Sequence, residues 1–377
     1  MRIGILGGGQ LGRMLALAGY PLGMTFRFYD PASEACAGQV GELRCGEWDD
    51  SAALAAFCDG LDVVTYEFEN VPVKTVKEVA KRVPVFPSVD ALEVAQHRIR
   101  EKKMFAASGL NVQQYAQVNS AAEARDACIR LGLPCVAKTT GGGYDGKGQC
   151  VVRTVEDAGR VWELLGKREL IVEEFVRFER EVSLIGVRDR KGNFCAYPLT
   201  ENRHEAGILR ESVAPAPNVS VSMQRDAEAH VRDLMDQLKY VGVLAVEFFV
   251  VQEANGGQTL IANEMAPRVH NSGHWTMDGA VTSQFENHLR AIAGLPLGEC
   301  SCVTGTHTRM VNFIGALPGI HELLSVPGVR LHDYGKSPRA GRKVGHANLV
   351  MSADDGDASI RAKHLNELAR VASQSAK

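Results

Sequence analysis

The sequence predicts an α/β fold built in several units. Three observations carry that prediction. The chain opens as a strand, a glycine turn, a helix and a second strand; a loop rich in glycine and lysine follows an apolar run near residue 138; and two glutamates stand where a hairpin would set them face to face. At 377 residues the chain exceeds the usual size of one domain, so two or three domains around a central cleft are expected.

Residues 2–6, RIGIL, read as a buried strand, Leu11 to Ala18 as an apolar helix, and Thr25 to Tyr29 as a second strand ending at Asp30. Gly7, Gly9 and Gly12 satisfy G-x-G-x-x-G, and the acid Asp30 follows at about the 20-residue spacing of a dinucleotide site. The physics behind the pattern is narrower: a helix N-terminus with bare backbone N–H groups, suited to some anionic group. Another strand, Asp62 to Tyr66, ends in the acidic segment YEFEN. Glu67, Glu69 and Asn70 thus stand at a carboxyl end, where open α/β sheets bind ligands; a solvated loop position is the alternative for each.

From Asp90 to Ser108 the pattern predicts one charged amphipathic helix that closes at Gly109, with Asp90 and Glu93 as a variant capping box. It marks a domain boundary. A smaller unit follows, centred on AKTTGGGYDGKGQ at 137–149. Its glycines let the backbone approach a phosphate closely, and Lys138 and Lys147 supply charge from both flanks. No Lys-Ser or Lys-Thr pair follows, so this is not a P-loop; the readings are a lid over a nucleoside triphosphate or a flexible surface turn. The strand LIVEEFV at 170–176 ends this unit, and REVSLIGV at 180–187 opens a larger one.

Within 244–265, two β-rich runs flank EANGGQ, and Asn255-Gly256 is a preferred two-residue hairpin turn. With that turn Glu247 and Glu264 lie directly opposite, about 5 Å apart, where like charges destabilise a sheet unless something compensates. A hard divalent cation such as Mg²⁺, sharing its shell with phosphate oxygens, is the natural compensation. A register slip of one residue, which puts the acids on opposite faces, is the alternative. Arg268, His270, Asn271 and His274 follow in a polar loop, where donors could orient an anion against the metal. Lys336, Arg339, Arg342 and Lys343 gather in YGKSPRAGRKVGH at 334–346 as a second phosphate site. After Ser352 a polar surface helix is expected.

With 42 basic and 45 acidic side chains, the balance gives no reason to expect nucleic acid or an anionic membrane as partner. The N-terminus lacks the long apolar core of a signal peptide, and no apolar run approaches the ~18 residues of a membrane span. A soluble, cytoplasmic protein is expected. Nine cysteines without a CxxC pair read as free thiols.

The strings GGGQLGRM at 7–14, TYEFENVP at 65–72, KTTGGGYDGKGQ at 138–149, EEFV at 173–176 and NEMAPRVHNSGH at 263–274 run in order through to GRKVGH at 341–346. Together they resemble the ATP-grasp superfamily and, within it, the N5-carboxyaminoimidazole ribonucleotide synthetase (PurK) family. The resemblance implies an ATP-grasp fold: an N-terminal Rossmann-like (preATP-grasp) domain at 1–100, a lid domain at 101–178 and a larger C-terminal α+β domain at 179–377. It also implies a homodimer, with ATP, Mg²⁺, bicarbonate and 5-aminoimidazole ribonucleotide as small-molecule partners.

Carried over by position, the resemblance assigns ATP to Arg98, Lys138, Gly143, Tyr144, Asp145, Gly146, Lys147, Gly148 and Gln149, with Asn263 beside the metal-binding Glu264. Adenine falls to the backbone of Glu173, Glu174, Phe175 and Val176, the ribose to Glu181, and His204 lines the nucleotide site. Glu247 and Glu264 take the metal. Gln10, Leu11, Glu67, Tyr144, Asp145, Arg268, His270, Asn271, Lys336 and Arg342 match positions around the ribonucleotide and bicarbonate. Glu67, Lys147, Arg268 and Asn271 are the implied catalytic residues. Ala266 stands where many superfamily members place a metal-ligating Asn, so water or phosphate oxygen is expected to complete the metal shell. The implied reaction is bicarbonate attack on ATP to give carboxyphosphate, then carboxylation of the exocyclic amine. The rivals are a formate-using ATP-grasp ligase, an NAD-dependent oxidoreductase built on the first unit, and an ATP-sensing module without turnover.

Overall fold

The computed structural model describes residues 1–142, 148–254, 256–352 and 356–375. Three sheets organise them. In the first, the parallel strands β1 (Arg2–Leu6), β2 (Thr25–Asp30), β3 (Glu42–Cys45) and β4 (Val63–Tyr66) lie in the order β3-β2-β1-β4. β1 is buried from Ile3 to Leu6, as a parallel strand covered on both faces must be. The strand order reverses between β1 and β4. The loops after these two strands therefore open onto the same crevice, the usual ligand position of such a sheet.

The second sheet is antiparallel: β5 (Tyr115–Val118), β6 (Cys135–Thr139), β7 (Gln149–Val152) and β8 (Leu170–Glu174), in the order β5-β8-β6-β7. Helices Ala121–Leu131 and Val155–Leu164 pack Ala124, Cys128 and Val161 against Val118, Ala137 and Val172. The glycine loop joins the neighbours β6 and β7, with Lys138 opposite Gln149 at its base.

The third sheet holds nine strands: β9 (Arg180–Arg188), β10 (Phe194–Ala196), β11 (Thr200–Glu205), β12 (Ile208–Ala214), β13 (Gly242–Gln252), β14 (Gln258–Ala266), β15 (Thr306–Ile314), β16 (Val329–Asp333) and β17 (Lys343–Ser352). Their order is β14-β13-β9-β11-β12-β15-β17-β16, with β10 pairing only β9. The first and third sheets are not separate bodies. Ile3, Leu15 and Phe26 share one apolar cluster with Ile185, Trp275 and Phe285, and burying each such large side chain contributes about 1.5–3 kcal/mol.

Two expectations change. The helix foreseen over 90–108 is two helices, Val89–Ala95 and Arg98–Ala107. Ser88, not Asp90, caps the first, its Oγ accepting from the Ala91 N–H. Between them the Gln96 amide donates to the Glu69 and Val71 carbonyls (2.8 and 2.7 Å) and the Arg98 N–H to Thr140 O (2.8 Å), which redirects the chain. The C-terminal helix, Ala358–Ser375, is amphipathic rather than a polar surface element: Ala362, Leu365 and Leu368 pack on Phe313 and Leu349.

Candidate active site

Glu247 and Glu264 are register partners across β13 and β14, as expected, but by another route. Near the turn Gln252 faces Gln258, the Glu253 N–H donates to Gly257 O (2.7 Å), and Gly256 has φ +85°. That is a three-residue loop ending on a left-handed glycine, not a two-residue turn; Asn255 lies outside the described residues. Continued without interruption, this register would set Asn263 opposite Glu247. A bulge between Ala262 and Glu264 absorbs one residue, and Glu264 takes the place instead. Burial, then the charge of Glu264, pushes the Glu247 carboxyl up to about 7.

The surroundings are basic. His270 Nε2 lies 3.5 Å from Glu247 Oε1, and its Nδ1 lies 2.8 Å from Ser272 Oγ. Burial, reinforced by Arg268 and Lys343, holds this imidazole well below its ordinary range, so it is neutral. His204 behaves oppositely. Burial works against its charge, but the bond from Nδ1 to Glu181 and the charge of Glu247 prevail and raise it. Arg98 donates to Glu264 at 3.2 Å. Arg268, from the loop after β14, pairs with Glu69 from the loop after β4.

These groups line a cavity of ≈ 510 Å³ where the three sheets meet. Gln10 and Leu11 of the first unit, Arg98 of the linker, and His204, Glu247 and Glu264 of the large sheet reach its wall, as do Arg268, His270 and Asn271. Both amide atoms of Asn271 are buried without a partner. Among the described residues no group of three or more His, Cys, Asp and Glu side chains is placed to hold a metal ion, so the carboxylate pair needs further oxygens from a ligand. Two hard carboxylate donors set directly opposite each other on the cavity wall do fit Mg²⁺.

Other expected site residues sit elsewhere. Lys138 is buried, its Nζ 2.6 Å from Glu173 Oε2, and the lid reaches the cavity wall through Thr140, Gly141 and Gly142 instead. Glu173 is 1% exposed; Lys138 and Lys102 overcome the cost of its burial and hold it down at about 2. Its side chain is thus committed to the lid interior, and neither it nor Glu174, Phe175 or Val176 borders the cavity. Gly148, Gln149, Glu181 and Asn263 also lie off the wall. Of the basic turn, Lys343 rather than Arg342 lines the cavity: the Arg342 guanidinium donates to Ser337 O (3.3 Å), whereas Lys343 begins β17. Lys336 stands one step back and donates to Gln10 Oε1. Gly143, Tyr144, Asp145, Gly146 and Lys147 lie outside the described residues.

The glycine turn holds a correction. Its N–H groups are not bare: Glu67 accepts from Gly9 N (2.5 Å) and Gly12 N (2.7 Å), and Asp30 accepts from Gly8 N (2.8 Å). The strand order explains it, because Glu67 leaves β4 beside the loop that leaves β1. Burial pushes the Glu67 carboxyl above its ordinary range, against the pull of these two N–H groups. Glu67 therefore closes the anion site that the motif suggests, and lies behind the cavity wall rather than on it. The cavity wall also holds Glu69, Gln96, Glu101, Thr140 and Lys343, to which the resemblance assigns no role. Glu69, Thr140 and Lys343 sit in the acidic segment, the glycine loop and the basic turn already singled out; Gln96 and Glu101 carry no local signal.

Matches to known proteins agree with this architecture. Family models match as the ribonucleotide synthetase preATP-grasp domain at residues 1–96, the ATP-grasp domain at 103–285 and the phosphoribosylaminoimidazole carboxylase C-terminal domain at 308–359. An N5-carboxyaminoimidazole ribonucleotide synthase from Pseudomonas aeruginosa is 50% identical over 349 residues, 93% of this chain and 94% of that protein. The crystal structure of N5-carboxyaminoimidazole ribonucleotide synthetase from Thermus thermophilus is 53% identical with a TM-score of 0.91, covering 97% of this chain and 98% of that one. The Aspergillus clavatus synthase, solved with ADP and 5-aminoimidazole ribonucleotide, is 30% identical with a TM-score of 0.88 and covers 98% of each chain. The chain belongs to the N5-carboxyaminoimidazole ribonucleotide synthase family of the ATP-grasp superfamily.

Proposed function

We propose that the cavity between the three sheets is where this chain performs its family's reaction, and that the residues on its wall divide the work as follows. The chain is an ATP-dependent ligase. Its reaction is the ATP- and bicarbonate-dependent carboxylation of 5-aminoimidazole ribonucleotide to N5-carboxyaminoimidazole ribonucleotide, by way of carboxyphosphate, with release of ADP and phosphate. The observation that carries the division of labour is the buried Glu247 and Glu264 pair facing a cavity whose cations come from separate parts of the chain.

Glu247 and Glu264 would hold Mg²⁺, which supplies charge neutralisation to the phosphates of ATP. Arg98 reaches Glu264 from the linker helix and stands ready for a phosphate oxygen on the same side. Arg268, aligned by Glu69, and Lys343 present positive charge where bicarbonate and the transferred phosphoryl group meet. Asn271 offers an amide without a protein partner, suited to orienting bicarbonate or the substrate amine. Gln10 and Lys336, bonded to each other, would meet the ribonucleotide phosphate from the first unit and the basic turn. Lys138 acts through its pairing with Glu173 at the base of the lid. A closed lid would keep water from carboxyphosphate. The family resemblance also supports a homodimer.

The test is ADP release from Mg·ATP and 5-aminoimidazole ribonucleotide with bicarbonate present or rigorously removed. Release that requires all three substrates is expected; release that follows formate instead overturns the substrate assignment. The double variant Glu247→Gln, Glu264→Gln should lose Mg-dependent turnover while keeping its fold. Full turnover in that variant refutes the metal assignment.

A further inference from the structure

The bulge that brings Glu264 opposite Glu247 sits on β14, the outermost strand of its sheet. An edge strand presents unpaired backbone groups, and a bulge frees more of them. Here one helix takes them up. Lys102, 1% exposed on helix Arg98–Ala107, donates through Nζ to Ala262 O (3.0 Å) and Asn263 O (2.8 Å), the two carbonyls at the bulge. Glu101, 2% exposed, accepts from the Met265 N–H at 2.7 Å. The Ala262 N–H is taken by Asn111 O (2.7 Å), just beyond the helix. Residues 98, 101 and 102 share one helix face by their i, i+3, i+4 spacing, so Arg98, Glu101 and Lys102 all meet β14, Arg98 through Glu264 itself.

The same lysine faces the lid. Its Nζ also donates to Gln113 Oε1 (3.1 Å) and lies 3.6 Å from Glu173 Oε1, and Glu173 holds Lys138. One buried ammonium thus ties the metal-pair strand to the base of the nucleotide lid.

We propose that Lys102 and Glu101 are positioning residues for the carboxylate pair: they fix the β14 bulge that sets Glu264, rather than Asn263, opposite Glu247. This rests on the reading of Glu247 and Glu264 as the metal pair. Neither residue need touch the metal; they act through the backbone on either side of Glu264. Outer groups that orient metal ligands are typically worth about 10- to 100-fold in affinity, which sets the expected effect.

The experiment measures Mn²⁺ binding to the full-length protein in the presence of ADP by electron paramagnetic resonance, together with hydrogen exchange of the 260–266 backbone. Lys102→Met and Glu101→Leu should each weaken Mn²⁺ binding about 10- to 100-fold and speed exchange at Met265. Glu101→Gln, which keeps an acceptor for the Met265 N–H, should restore most of both. Thermal unfolding verifies that each variant is folded; should Lys102→Met not fold, the Glu101 pair decides alone. Wild-type Mn²⁺ binding and exchange in folded Glu101→Leu overturns the proposal. Weakened binding in Glu101→Leu without faster exchange at Met265 also overturns it, since Glu101 would then act directly on the ligand. The variant Glu247→Gln, Glu264→Gln separates the two readings: if it binds Mn²⁺ like the wild type, the metal pair itself is wrong; if it does not while Glu101→Leu and Lys102→Met do, only the positioning role falls.

Discussion

Two groups of buried charge flank helix Arg98–Ala107, and they are settled in opposite ways. On the lid side Glu173 lies between Lys138 at 2.6 Å and Lys102 at 3.6 Å, two cations for one carboxylate, and is held fully ionised. On the large sheet Glu247 faces another carboxylate, the imidazole beside it is neutral, and its own carboxyl is driven up to about 7. The difference separates structure from function. A buried charge that serves the fold is neutralised by the chain, whereas a site that must receive a cation keeps the imbalance unresolved.

That contrast is open to test. Removing the lid carboxylate should cost most: Glu173→Gln strands two buried cations, so unfolding in denaturant should show about 3–5 kcal/mol lost at pH 7. The same residue sets a pH window. Its folded value of about 2 lies below the ordinary 4.5, so its contribution is fully present above pH 4.5 and is lost as pH falls toward 2. That displacement corresponds to about 3 kcal/mol, and the acid limb of stability should flatten in Glu173→Gln. An unchanged limb would place the charge balance elsewhere.

Glu67 is a third case, a buried carboxylate held by two backbone N–H groups while burial still pushes it above its ordinary range, and Gly7 packs against it. Gly7 has φ +106°, and a Cβ there would stand 2.9 Å from Glu67 Oε1. Gly7→Ala should therefore cost about 1–3 kcal/mol, read as a lower melting temperature. The smallest effect has the opposite sign. Glu247→Gln relieves a directly opposed like-charge pair, and without metal it should raise stability by about 0.2–1 kcal/mol even as turnover disappears. A loss of stability there would mean that the pair is already compensated within the chain.

Much of this was legible in the sequence, though not always for the right reason. The strands RIGIL and REVSLIGV and the three-unit order follow from runs of apolar side chains and loop composition, which are local properties. Asn255-Gly256 points to the Glu247 and Glu264 pairing through a two-residue turn that the chain does not use. A loop one residue longer and a bulge of one residue cancel, and no local pattern reports a bulge whose carbonyls are held by Lys102, about 160 positions away. Glu67 stood out as an acid at a strand end, but its use as the cap of the glycine turn depends on β4 lying beside β1. The break at Gln96 depends on carbonyls in another loop. Beside a glycine loop Lys138 reads as a phosphate ligand, and only the packed lid reveals Glu173 against it.

The nine-stranded sheet also has a history in time. β12 ends at residue 214, but its neighbour β15 begins at residue 306. At ordinary synthesis rates of about 5–20 residues per second, the nascent sheet waits on the order of 5–20 s with that edge open. An open edge invites pairing with other chains, and charge along it is the usual deterrent. β12 carries Arg210 and Glu211 side by side, and the arriving β15 supplies Arg309 to pair with Glu211. The charges that lock the finished sheet are thus the ones that discourage other chains from pairing with its open edge on the ribosome.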